Sequence, residues 1–259
     1  MSDYQYPVAP PPPIGSEPVG PGLTQMQRVI YTFTAPTKTF TDIKRNASWW
    51  LPFVLSLVFG YIFFGAVTAK VTWPQVTENN IKMSPKQAEQ LDKQPAEQRA
   101  TSMKISASVT EGIWAAIPIL GPLIGSAIMG GILLATINFG FGGKATFWQA
   151  FAVVMFANLP GLLRYLLGTI AIFVGLDPES FNISNFAGTN PGYYMSHDTS
   201  KAVLALASAI DPVVIWTLVL ASIGISIVAG TKRSSGYIAV FGWWIVTVLI
   251  GVGAAAAFS

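Results

Sequence analysis

Residues Trp49 to Ala69 read WWLPFVLSLVFGYIFFGAVTA, an apolar run without a single charged side chain. A bilayer's hydrocarbon core, roughly 30 Å thick, takes about 20 apolar residues of helix to cross. This run meets that length, and the composition around it agrees. The chain's 259 residues are 52% hydrophobic and only 10% charged, against roughly 25% charged in an ordinary soluble domain. Four further runs follow: Gly112 to Gly143, Ala145 to Leu176 broken only by Arg164, Val203 to Thr231 broken only by Asp211, and Gly236 to Phe258. The expectation is an all-α integral membrane protein, a bundle of five transmembrane helices with kinked spans. The spans fall at about 49–69, 113–138, 147–175, 203–229 and 236–258 within a membrane domain over 47–259. An odd number of spans puts the two termini on opposite sides.

Several function classes fall away on composition. Cysteine is absent, so there is no disulfide frame, thiolate nucleophile or Cys-ligated metal. A net charge of +3 spread along the chain gives no nucleic-acid footprint. The N-terminus is polar and proline-rich where a cleavable signal would be apolar, so the first span is expected to serve as the insertion signal.

Residues 1–22 hold seven of the eighteen prolines, Pro10 to Pro13 among them, and should form a disordered cytoplasmic tail. It is either a plain tether or a polyproline docking segment. Over 23–46 the apolar residues Leu23, Met26, Val29, Ile30 and Phe33, then Phe40 and Ile43 beyond Pro36, recur at helical spacing. One or two short amphipathic helices are expected there. Either they lie in the interface, with Arg28, Lys38, Lys44 and Arg45 turned to anionic headgroups, or they pack across the end of the bundle. The polar stretch 71–111 should be a helical loop of balanced charge. Ser84, Pro85 and Gln87 signal one helix start, and Pro95 separates that helix from PAEQRATSMKISASV, which runs on into the second span. The loop Asp177 to Lys201 carries the lone histidine, His197, read as an exposed loop residue.

Lys144 and the pair Lys232 and Arg233 occupy short connections on the same side as the N-terminus. Short cytoplasmic loops attract such residues. The expected location is the cell membrane, with the N-terminus cytoplasmic and the C-terminus across it.

GFGGKAT, at 140–146, is superficially like a phosphate-binding loop. Asn138 and Ala145 stand where that motif needs glycine and a hydroxyl, and no strand precedes it. A tight turn between spans two and three is the better reading. Small residues recur four apart in Gly121 with Gly125, Ser126 with Gly130, Ser222 with Ser226, and Gly251 with Ala255. Such pairs let helix backbones approach closely in lipid. Pro118 and Pro122 in span two, and Pro160 with Gly161 in span three, should kink or break their helices.

TFTAPTKTFTDI ahead of the first span, the turn GFGGKATFWQAFAVVMFANLPGLL and the later AIDPVVIWTLVLASIGIS together resemble the Yip family. The likeness runs from about Arg28 to the C-terminus, and SPKQAEQLDKQPAEQR is more like prokaryotic members. The resemblance implies a five-span Ypt/Rab-interacting membrane protein with a cytoplasmic N-terminus. A small GTPase partner follows from it alone; the residues themselves imply membrane lipids and an unnamed membrane or cytoplasmic protein.

Two ionisable residues, Arg164 and Asp211, lie inside the apolar runs. Counted at 1.5 Å per residue, Arg164 is about 25 Å from the start of span three and Asp211 about 27 Å from the end of the antiparallel span four. Equal depth makes a salt bridge between the spans the leading expectation. Asp211 before Pro212 also reads as a helix N-cap, compatible with pairing, while Arg164 alone could snorkel to the headgroups. No catalytic set, cofactor site or metal ligand set is expected. The function reading is therefore a non-enzymatic adaptor or organiser of the membrane; the alternative is a small-solute or ion transporter or channel.

Overall fold

The computed structural model describes residues 21–196 and 199–257. Almost all of the tail expected over 1–22, as well as His197 and Phe258, lies outside them.

The first two helices form an antiparallel hairpin, α1 (Gln25–Thr34) and α2 (Pro36–Arg45). Thr24 and Gln27 start α1 with a reciprocal capping box, the Gln27 amide donating to Thr24 Oγ1 and the Thr24 amide to Gln27 Oε1. Pro36 ends it: a residue before proline avoids the helical region, and Ala35 sits at φ −151°. Proline then opens α2, where its missing N–H costs nothing.

Span one is α3 (Trp50–Ala66), continued by a π-helical turn over Val67–Val71. Thr72, at φ 73°, is the one described non-glycine residue with positive φ and swings the chain into α4 (Trp73–Lys82). After α5 (Pro85–Asp92) comes α6 (Ala96–Ala135), a helix of 40 residues with its own terminal π turn, Thr136–Gly140. At about 60 Å α6 is twice the thickness of a hydrocarbon core, so its polar first part stands clear with α4 packed along it. Pro118 and Pro122 lie inside it. Gly60 of α3 backs onto Pro118, where an added Cβ would meet the ring at 2.9 Å.

Span three is two helices. α7 (Phe147–Ala157) begins at a Thr146 and Gln149 capping box and is buried from Ala150 through Ala157. It is the central post, with α6, α10 and α2 packed around it. A 3₁₀ turn over Leu159–Gly161 carries Pro160 and Gly161, and α8 (Leu162–Val174) departs from it to pack on α3. Span four is also interrupted: α9 (Lys201–Ala209) stops at Ile210, and α10 (Pro212–Ala229) starts afresh with Asp211 as its cap. Gly230, at φ 69°, ends α10 in the left-handed conformation that glycine adopts without strain. α11 (Arg233–Ala257) is the fifth span. The chain thus has five helical segments long and apolar enough to cross a membrane, and no strand among the described residues.

Three expectations change. The stretch 71–111 holds a further helix, α4, because Trp73 and Val76 are buried against other elements rather than exposed on a loop. The run expected as one span over 203–229 breaks at Asp211, since Pro212 cannot continue a helix from the preceding turn. Among the small-residue pairs, a Cβ added to Gly130 would lie 3.2 Å from the Phe151 backbone and Ser222 and Ser226 are buried, whereas one added to Gly125 or Gly251 would meet nothing within 4 Å.

Two apolar cores result. One joins α2, α6, α7, α10 and α11 around Phe156, Val153 and Ile225; the other joins α3, α4, α8 and the loop at Phe181 to Phe186 around Phe63. Phe40 of α2 sits in the notch left by Gly224 on α10, where an added Cβ would lie 2.8 Å from its ring and 2.6 Å from Val153. The tip of the hairpin reaches the second turn of α10, with the Phe33 and Trp216 rings edge to face at 5.4 Å.

Candidate functional site

The end of the bundle that carries the α1–α2 hairpin also carries the loop 141–146 and the turn 230–232. Hydrogen bonds tie these pieces together: Gln149 Nε2 donates to the Lys44 carbonyl at 2.8 Å, the Lys144 amide to the Ala229 carbonyl at 3.0 Å, and Arg233 to the Thr37 hydroxyl at 2.9 Å. Lys38, Lys44, Arg45, Lys144, Lys232 and Arg233 are all exposed here. Lys38 lies 5.0 Å over the Tyr31 ring.

Arg28, expected to face headgroups with them, does not. It is 2% exposed, its Nε donating to Asp42 Oδ2 at 2.7 Å and its Nη1 to the Ser48 carbonyl at 3.0 Å. The other Asp42 oxygen accepts from Arg45 at 3.1 Å. Arg28 turns inward because Asp42 faces it across the Pro36 turn, and a carboxylate that is 8% exposed demands a cation. The signal in the sequence was this lone acid within a basic amphipathic stretch. Asp42 is the one carboxylate on this end among the described residues, and both its oxygens are engaged.

The opposite end is electrically balanced. On α4, α5 and the start of α6, Lys82 pairs with Glu78 at 2.9 Å, Lys93 with Glu89 at 2.7 Å and Arg99 with Asp92 at 2.9 Å, all in the open.

Arg164 and Asp211 come together towards that balanced end. Arg164 lies one helical turn beyond Pro160 and Gly161, and its Nε is 3.9 Å from Asp211 Oδ2. That is an ionic approach but too long for a hydrogen bond. Asp211, 1% exposed, takes its hydrogen bonds elsewhere: Oδ1 accepts from the Val213 amide at 2.8 Å and Oδ2 from the Thr189 hydroxyl at 2.6 Å. The guanidinium, 30% exposed, also lies 5.8 Å from the Phe186 ring. Phe186 in turn stacks on Tyr165 and packs against Phe63 at 4.2 Å. Sequence reasoning missed Thr189 and Phe186, which belong to a loop whose return onto the spans no local pattern announces. The site is therefore a junction of both interrupted spans with the loop between them. Among the described residues no group of His, Asp and Glu is placed to hold a metal.

The family model for the Yip1 domain matches residues 30–255. No curated protein and no solved structure matched the chain. The match takes in all five membrane-crossing helices and both interrupted spans, and by it the chain belongs to the Yip1 domain family.

Proposed function

We propose that this Yip1-domain protein is a non-enzymatic adaptor or organiser of the cell membrane, acting through the hairpin end, with that end and the N-terminus in the cytoplasm. The observation that carries the reading is the charge asymmetry. Exposed Lys38, Lys44, Lys144, Lys232 and Arg233 crowd one end with no exposed carboxylate beside them among the described residues, while the other end pairs its charges. Lysine and arginine in short loops mark the cytoplasmic side, and a cationic surface recruits anionic partners. By family membership a small GTPase is one candidate partner. Cross-linking the full chain in native membranes, followed by purification, tests the reading. Reproducible recovery of a cytoplasmic or membrane protein supports it, and recovery of none removes its main support.

Transport of a small solute is the second reading. It is favoured by the meeting of two discontinuous spans at a buried carboxylate, an arrangement that transporters use for binding. Against it, the polar groups beside that carboxylate, Thr189 and the Asn185 and Asn190 pair, are engaged with the protein itself. Flux across vesicles containing the purified chain separates the two.

A further inference from the structure

The exposed cations of the hairpin end are not equivalent. Arg45 is held by Asp42, Arg233 by Thr37, and Lys38 by the Tyr31 ring. The ammonium groups of Lys44, Lys144 and Lys232 have no hydrogen-bond or ion-pair partner among the described residues, yet the chain brings these three lysines to the C-terminus of α10. The Lys144 amide is bonded to Ala229, the last residue of α10. Lys44 Nζ would lie 4.0 Å from a Cβ on Gly230, which follows, and Lys232 is two residues further on.

Three lysines carried to one helix end repel one another wherever their ammonium groups approach, so the nearby counter-charge matters. Asp42 is consumed by Arg28 and Arg45. The C-terminus of α10 offers roughly half a negative charge, but the amino-terminal ends of α7 and α11 open beside it and oppose that field. Among the described residues no other carboxylate stands at this end to balance them.

The depth of the cluster follows from its neighbours. Phe139 is 92% exposed, and Phe141, Phe147 and Trp148 are exposed as well, flanking Lys144 on both sides. Tryptophan at the end of a span settles at the headgroup level, and Trp148 stands four residues from Lys144, which favours lipid phosphates over open solvent as neighbours of these lysines.

We propose that Lys44, Lys144 and Lys232 form a binding site for the phosphate headgroup of an anionic lipid in the leaflet that the hairpin end faces. Basic pockets between spans on the cytoplasmic side hold such headgroups. The proposal deepens the adaptor reading by naming one partner of that surface, and it rests on the same orientation.

The test equilibrates the purified full chain in detergent with equimolar phosphatidylglycerol and phosphatidylcholine, then measures the lipid retained after size exclusion. The wild type is expected to enrich phosphatidylglycerol, and affinity should fall roughly fivefold for each charge removed. The triple variant Lys44→Gln, Lys144→Gln, Lys232→Gln should lose the enrichment. The corresponding triple arginine variant should keep it, which separates charge from misfolding. Lys86→Gln, Lys93→Gln, Lys104→Gln at the opposite end should leave it unchanged. No enrichment by the wild type, full enrichment by the first variant, or equal loss in the opposite-end variant overturns the site. A wild type that enriches the lipid yet yields no protein partner overturns the adaptor reading and leaves this one standing.

Discussion

The guanidinium of Arg28 and the carboxylate of Asp42 meet at 2.7 Å across the α1–α2 turn, both shielded from solvent. Through Nη1 the same arginine holds the Ser48 carbonyl, so one ion pair closes the hairpin and fastens it to the approach to span one. Asp42→Asn leaves the buried Arg28 guanidinium without its counter-charge and is expected to cost about 3–5 kcal/mol, the usual effect of breaking a buried pair. Arg28→Met should cost less, because Arg45 still neutralises Asp42. Replacing both with apolar residues should recover part of the loss. Thermal unfolding in detergent, followed by tryptophan fluorescence, measures the cycle. Additive single and double variants would show the pair to be uncoupled.

Arg164 and Asp211 should behave differently, because the hydrogen bonds of Asp211 go to Thr189 and the Val213 amide. Asp211→Ala removes a helix cap, worth about 1–2 kcal/mol, and leaves the Thr189 hydroxyl without its acceptor. Arg164→Leu takes the nearby cation from a carboxylate that is 1% exposed, but Thr189 and the Val213 amide still hold its oxygens, so the loss should stay below the about 3–5 kcal/mol of a broken buried pair. A double-mutant coupling above about 2 kcal/mol would mean that the two groups close into direct contact in lipid.

Glycines that look alike in the sequence should separate cleanly. On Gly236 an added Cβ would run into the Ser222 carbonyl of α10. Gly236→Ala is therefore expected to push α11 off α10 and cost about 1–3 kcal/mol. Gly125→Ala and Gly251→Ala meet open space and should be neutral or gain up to about 1 kcal/mol of helix propensity. Unfolding temperatures of the three variants, measured side by side, check this.

Thr72 adopts φ 73° and ψ 147°, a region that a β-branched residue enters only under strain of about 1–3 kcal/mol. The turn is held by its neighbours, with Trp73 buried and its indole N–H donating to the Thr68 hydroxyl at 2.9 Å. Thr72→Gly should raise thermal stability, whereas Thr72→Val should not. A drop with glycine would show that the turn carries no strain.

The five spans were legible in the sequence because each is a long apolar run, and lipid gives such runs little choice but helix. The hairpin was legible as two short amphipathic pieces parted by Pro36. What its polar residues do was not. Amphipathic periodicity sorts side chains into faces but cannot tell a face turned to headgroups from one turned to a carboxylate across a turn, and so Arg28 was placed outside. The same limit hid α4, whose buried Trp73 and Val76 find their partners only once α3 and the distant loop have packed. Equal depth along two ideal spans pointed to Arg164 and Asp211 as a pair, and the structure sets Nε and Oδ2 3.9 Å apart. Asp211 before Pro212 already read as a helix start, but nothing local to the spans announces that Thr189 reaches the carboxylate first.

The seating of Phe40 against Gly224 and Val153 also constrains the order of biosynthesis. The hairpin leaves the ribosome before any span, yet the notch that receives it exists only after α7 and α10 have entered the bilayer and met. Until then Phe40 and the buried Arg28 and Asp42 pair have no finished shelter. The earliest part of the described chain is thus among the last to lock, and a nascent chain halted before α10 lacks the notch that receives Phe40.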